Sequence, residues 1–131
     1  MKIKPIIFVS SAFSGNEKQN RKLAIEYARI ITDMGGIPIV PHLMFPEWID
    51  GSTEEGYMLS MEMCKRLIVR SVDAVVACTL MNEFSRGMDM EMVFSDQYAI
   101  DYIQAENFDF SEVKAWIDRF MDAQEKNDAN D

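Results

Sequence analysis

Ile3-Lys4-Pro5-Ile6-Ile7-Phe8-Val9, followed without a break by Ser10-Ser11-Ala12-Phe13-Ser14-Gly15-Asn16, is the stretch on which the fold turns. Residues 3 to 9 form an almost continuous apolar run rich in β-branched side chains, the mark of a strand buried on both faces, and the Ser/Gly segment after it is a loop. Downstream, Leu23, Tyr27, Ile30 and Met34 recur at spacings of four, three and four from Glu17 onward, which predicts a helix. Gly35-Gly36 supplies its left-handed stop. Ile37 to Val40 predicts a short second strand, and Pro41, Pro46 and Gly51 punctuate the long connection after it, which carries His42, Phe45 and Trp48. Tyr57 to Arg70 predicts a helix and Val72 to Thr79 the most β-prone strand. A loop over 80–86 leads to a helix over about 88–98, and Ile100 to Ile103 predicts a last strand. Val113, Trp116, Ile117, Phe120 and Met121 draw a helical stripe, with Asp109 and Glu112 placed like a capping box at its start.

Strands that alternate with helices imply a parallel sheet covered on both faces, because a parallel connection needs a crossover of helical length. The expected fold is therefore a single-domain α/β three-layer sandwich, flavodoxin-like or Rossmann-like, with four or five parallel strands. The domain is expected over 1–123, and the polar segment 124–131 as a flexible acidic tail. In such sheets ligands bind beyond the carboxyl ends of the strands, which directs attention to the loops after Val9, Val40 and Thr79.

The chain's 131 residues suit one domain, and with 48% hydrophobic and 27% charged residues it can bury about two thirds of its unfolded surface. Twenty-two acidic against 13 basic side chains give a net charge of −9, which opposes attraction to phosphate backbones or anionic lipid. Neither nucleic acid nor a membrane surface is an expected partner. No apolar run approaches the roughly 18 residues of a membrane span, and residues 1 to 9 lack the features of a secretory signal, so a cytoplasmic location is expected. Cys64 and Cys78 fall in a helix and a buried strand and are expected as reduced thiols. His42 is the only histidine, which leaves zinc-type sites short of ligands, and the eleven methionines suit an adaptable core better than a metal.

The first loop carries neither G-x-G-x-x-G nor G-x-x-x-x-G-K-[ST], so standard dinucleotide and ATP sites are disfavoured. Ser10, Ser11, Ser14 and Gly15 nevertheless offer hydroxyls and closely approaching amides to a phosphate or sugar; as a bland alternative, they form a polar cap for the next helix. Ser85-Arg86-Gly87-Met88-Asp89-Met90-Glu91 is more informative. Two carboxylates follow a Gly at a loop-to-helix junction, and because Asp89 and Glu91 stand about 200° apart around a helix, only one can face a cleft. A carboxylate there meets the positive end of the helix dipole, which favours the ionised form a nucleophile needs and equally accounts for first-turn acids with no function at all. His42 could donate to a base or phosphate or could bond a neighbouring carbonyl as a loop organiser. Phe13, Phe45 and Trp48 could stack a base or belong to the core, and Arg86 is an anion contact or a solvated surface charge.

At these residues the chain resembles the nucleoside 2-deoxyribosyltransferase superfamily, in particular a branch common in phages and bacteria. The likeness spans about residues 3 to 103 and rests on the order of four segments: Ile6-Ile7-Phe8-Val9-Ser10-Ser11, Gly36-Ile37-Pro38-Ile39-Val40-Pro41-His42, Val72-Asp73-Ala74-Val75-Val76 and Ser85-Arg86-Gly87-Met88-Asp89-Met90-Glu91. The resemblance implies that Glu91 takes the place of the glutamate that attacks C1′ of the sugar. Its Gly stands four residues before it, at Gly87. Ser85, six residues before Glu91, corresponds to the serine with which the nucleoside monophosphate N-glycosidases touch the 5′-phosphate, where the transferases carry Asp. The implied substrate is a (deoxy)nucleoside or its 5′-monophosphate, bound with no organic cofactor or metal in a homodimer that completes its sites across the interface.

Three positions depart from the family. Lys65 stands where its general-acid Asp is found, eight residues before Asp73; Ile7 replaces a Tyr on the first strand, and Phe13 an Arg in the first loop. Glu62, three residues before Lys65 on one helical face, is the substitute acid, with His42 as the alternative, and Asp73 joins Glu91 and Glu62 as a catalytic candidate. Ser10, Ser11, Phe13, Ser14, Gly15, His42, Ser85, Arg86, Gly87 and Met88 are the substrate-binding candidates. The expected reaction is cleavage of an N-glycosidic bond by hydrolysis or deoxyribosyl transfer. The rival expectation is a module that kept the nucleotide cleft and lost efficient catalysis.

Overall fold

In the computed structural model, residues 3–130 are described, with side chains for residues 3–126. The chain runs β1 (Ile6–Ser10), α1 (Glu17–Asp33), β2 (Ile37–Ile39), two 3₁₀ turns (Pro41–Leu43 and Phe45–Glu47), α2 (Glu54–Arg70), β3 (Ala74–Thr79), α3 (Arg86–Gln97), β4 (Asp101–Glu106) and α4 (Ser111–Asn130). It is an α/β three-layer sandwich around one parallel sheet of four strands ordered β2-β1-β3-β4, with Ile6 beside Ile37, Ile7 beside Ala74 and Ala74 beside Asp101.

The topology follows from where β1 sits. Its successor β2 lies on one side of it and β3 on the other, so the sense of strand addition reverses at β1. With right-handed crossovers the helices of the two connections must then lie on opposite faces. Alternation along the strands supplies each face with its own core. Ile7, Val9, Val76 and Cys78 meet Ala24, Tyr27 and Ile31 of α1 and Val113 and Ile117 of α4. Phe8 and Val75 turn the other way, toward Met61, Cys64 and Ile68 of α2 and Phe94 of α3. Fully burying an aliphatic or aromatic side chain of this size stabilises by roughly 1.5–3 kcal/mol, so each face contributes several such increments.

Local chemistry sets the element ends. Asn16 caps α1 by accepting from the Gln19 amide, and Gly35, at φ +96°, takes the left-handed turn that ends the helix, as expected. The helix expected from Tyr57 starts earlier, at Glu54, because the Thr53 hydroxyl accepts from the Gly56 amide. Likewise α3 begins at Arg86, two residues before the expected start, because Ser85 accepts from Met88 N. The last strand extends beyond Ile103 to Glu106, where Thr79 and Glu106 hydrogen-bond side chain to side chain. The capping box expected of Asp109 and Glu112 is not formed. Asp109 instead accepts from Ser111 N, two residues on. Through the segment expected as a tail, α4 continues to Asn130; Asp131 lies outside the described residues.

Among the described residues no helix is long and apolar enough to cross a membrane. Cys64 and Cys78 are buried free thiols, and burial pushes both pKa values up.

Candidate functional site

The site grows from the parity of β1. Because Phe8 faces α2 and α3, Ser10 does too, and it emerges at the strand's carboxyl end, where β1 and β3 lie side by side and their connections part. On α3 the buried positions are Met88, Glu91, Phe94 and Ser95, spaced three, three and one, so the helix turns Glu91 inward and leaves Asp89 exposed. The two meet: Ser10 Oγ donates to Glu91 Oε1 at 2.7 Å, in full burial. The Cys64 thiol of α2 is a second donor to the same carboxylate. No cation pairs with Glu91 among the described residues. Desolvation therefore dominates and pushes its pKa up to about 7, against the opposing pull of the two hydrogen bonds.

In front of this buried pair opens a cleft of about 830 Å³. Its floor is the first part of the α2 stripe, Tyr57, Met61 and Cys64, which also packs on Phe8 of the sheet. One wall is the first loop, where Phe13 stacks on His42 with centroids 5.1 Å apart and planes 14° from parallel. Asn20 pins that loop by donating to the Phe13 carbonyl at 2.9 Å. His42 Nε2–H in turn donates to the Ser11 carbonyl at 2.7 Å, tying the first loop to the second, and burial lowers its pKa so that the ring is neutral at pH 7. The opposite wall is the connection over 45–54, in which Trp48 stands edge-on to Phe45 and is 63% exposed. This connection is clamped on α2 at Gly56, where an added Cβ would stand 1.8 Å from the Asp50 carbonyl oxygen.

Electrostatically the cleft is acidic. Glu17, Glu47, Asp50 and Glu54 line it, with Arg86 as the one basic chain beside neutral His42. Arg86 is already engaged, with both guanidinium ends on Glu54 at 3.0 and 3.2 Å and its face 4.2 Å over the Tyr57 ring. That pairing holds the Glu54 carboxyl below its usual pKa range, and hydrogen bonds from Ser52 do the same for Asp50.

Of the sequence candidates, Phe13, Ser14, His42, Ser85, Arg86 and Gly87 line the cleft. Ser10 and Glu91 lie directly behind its floor, with Cys64 touching the cleft on one side and Glu91 on the other. Ser11 is buried, its carbonyl taken by His42 and its hydroxyl without a hydrogen-bond partner. Four candidates lie elsewhere. Gly15 sits at φ +103° on the outside of the loop, and Met88 is buried behind Ser85 as part of the helix's inward face. Glu62 is exposed, one residue off the inward stripe of Met61 and Cys64, and does not reach the cleft. Asp73 opens β3 at the amino edge of the sheet, where its carboxylate accepts from Ile6 N at 2.8 Å; its role is to tie two strands, at the end opposite the cleft.

Sequence reasoning missed Tyr57, Met61, Cys64 and Glu54. Tyr57, Met61, Cys64 and Ile68 form an ordinary core stripe by spacing, and nothing in that spacing separates the three that also line the cleft from Ile68, which only packs the core. Among the described residues no group of three or more His, Cys, Asp or Glu side chains is placed to hold a metal ion.

No curated protein matches the chain. Residues 5–105, which include β1 through nearly all of β4, match the domain of unknown function DUF7768, and the chain belongs to that family.

Proposed function

We propose that the cleft receives a (deoxy)nucleoside or nucleoside 5′-monophosphate and that Glu91 cleaves its N-glycosidic bond. The observation that carries this reading is the buried Glu91 carboxylate held by Ser10 at the strand-order reversal, immediately behind the floor of the cleft. An unpaired carboxylate buried this deeply is costly, and such groups concentrate where chemistry needs them. In the proposed reaction ionised Glu91 attacks C1′ from the face opposite the base, the C1′–N electron pair leaves with the base, and water hydrolyses the glycosyl ester with net retention. Phe13 and Trp48 flank the base, while Ser14 and Ser85 offer hydroxyls to sugar or phosphate oxygens. The setting proposed for this activity is a cytoplasmic homodimer.

A second reading is favoured by one observation: Glu91 is 1% exposed and does not itself line the cleft. On that reading the chain binds the nucleotide without cleaving it. Incubation with a panel of deoxynucleosides and their monophosphates, with free base detected chromatographically and binding followed by calorimetry, separates the two. Base release that rises as pH passes through about 7 and disappears in Glu91→Gln supports cleavage. Binding without release, unaltered by the substitution, supports the module, and absence of both binding and release rejects the cleft as a nucleoside site.

A further inference from the structure

Accepting the cleft as a nucleoside site, as proposed above, its charge and its acid–base groups narrow the ligand further. Four acidic residues line the cavity, and the one guanidinium among its walls is held at both ends by Glu54 and stacked on Tyr57. Glu47 has a distant partner in Arg21 at 3.7 Å, whereas Glu17 and Asp50 pair with no cation among the described residues. A 5′-phosphate entering here would meet a surplus of negative charge and would have to displace Glu54 from Arg86 to gain a partner. A cation would meet attraction from these acidic residues and from the exposed Trp48 ring, with Phe13, stacked on His42, as a second aromatic of the lining.

The chemistry of departure points the same way. An ordinary base leaves well only if a general acid protonates it as the C1′–N bond breaks. Glu62 is outside the cleft and Lys65 sits over the Phe94 and Tyr98 rings at 5.6 and 5.8 Å. Asp50 and Glu54 are held in the ionised form, and His42 is neutral with its Nε2–H spent on the Ser11 carbonyl. A base that already carries a positive charge needs no proton, because the bonding pair that leaves with it neutralises it.

We infer that the preferred substrate is a nucleoside whose base is quaternised at a ring nitrogen, a pyridinium or N7-alkylpurine riboside without a 5′-phosphate, drawn in by the acidic, aromatic-walled cleft. Glu91 forms the C1′–O bond as the C1′–N bond breaks; the electron pair goes to the base, which departs neutral. Water then adds at C1′, the ester carbon–oxygen bond returns its pair to Glu91, and one proton is released to solvent.

The test uses nicotinamide riboside and 7-methylguanosine as cationic probes, the dihydropyridine riboside and guanosine as uncharged counterparts, and the 5′-monophosphates of both cations. Binding by calorimetry and base release by chromatography are both measured at pH 6.5, where 7-methylguanosine is still a cation and part of Glu91 is ionised. The expected result is affinity at least tenfold higher for the cations than for the uncharged and phosphorylated compounds, shrinking about threefold in the exposed pair of substitutions Glu17→Gln and Glu47→Gln, and base release from the cations alone. Release from only one of the two cations assigns the base class. Equal or tighter binding of uncharged nucleosides or monophosphates overturns the charge preference while leaving the nucleoside site standing. No binding by any probe overturns the site itself. Tight cation binding with no release, unaffected by Glu91→Gln, overturns the leaving-group step and keeps the preference.

Discussion

One face of the sheet is covered by α1 and α4 and the other by α2 and α3, yet the two layers differ in kind. Against α1 and α4 the strands present Ile7, Val9, Val76 and Cys78 to Ala24, Ile31, Val113 and Ile117, with no buried carboxylate among the described residues of that layer. Against α2 and α3 the same strands present Phe8 and Val75 and then, at the end of β1, Ser10 to a buried Glu91. The difference teaches that a single strand, through its period of two, can serve stability on one side and place a costly polar group on the other. Uniform apolar packing carries the fold, which leaves the second layer free to end in a cleft.

The largest effect expected from breaking this division is on the dry side. Ile117→Ala empties a fully buried site between α4 and the sheet and is expected to cost about 2–5 kcal/mol in urea unfolding. The loss should be the same at pH 5 and pH 8, with ligand binding in the folded variant intact. A loss below about 1 kcal/mol, or one that changes with pH, would show that the layers are not separable in this way.

Glu91→Gln probes the other side. A carboxyl whose folded pKa is raised from 4.5 to about 7 binds its proton more tightly in the folded than in the unfolded chain. Its contribution is therefore greatest below pH 4.5, falls as pH rises from there to about 7, and is level above. At 1.36 kcal/mol per pH unit the fall amounts to roughly 3 kcal/mol, and Gln, which does not titrate, should abolish it. Measured by denaturant titration across pH 4 to 8.5, the variant is expected to match the parent at the acid end and exceed it at the alkaline end. Parallel curves would mean that Glu91 does not carry the polar character of its layer.

The same division explains what could be seen in the sequence. Runs such as Ile6 to Val9 and Val72 to Thr79 are apolar whichever face each residue takes, so strand positions and the alternating α/β order were legible, as were the Gly35 stop and the α4 stripe. Two helix starts were not legible from apolar spacing, because Thr53 and Ser85 each cap a helix before its first apolar residue. The argument that Asp89 and Glu91 cannot face the same way needed only helical geometry, and it left open which one turns inward. That choice is made by the register of Met88 and Phe94 against the sheet, a tertiary fact. Glu62 failed because one residue of helical phase separates it from Met61, and Asp73 failed because a residue at the start of a parallel strand stands at the edge remote from the loops that follow strands.

Asp73 supplies the smallest test, and it adds a second axis to the comparison, along the strands instead of across the sheet. Its carboxylate accepts from Ile6 N at 2.8 Å at an exposed edge. Asp73→Ala leaves that amide to water and is expected to cost about 0.5–1.5 kcal/mol, while Asp73→Asn keeps an acceptor oxygen in place and should cost less. Neither substitution touches the cleft, so ligand affinity and base release should remain within twofold of the parent in both. The two measurements bear on separate claims. A graded loss of stability with function intact fits a strand tie at the amino edge. A tenfold loss of base release in Asp73→Asn at unchanged stability would instead couple this edge to Glu91 through β3, and chemistry would no longer be confined to the carboxyl end of the α2 and α3 layer.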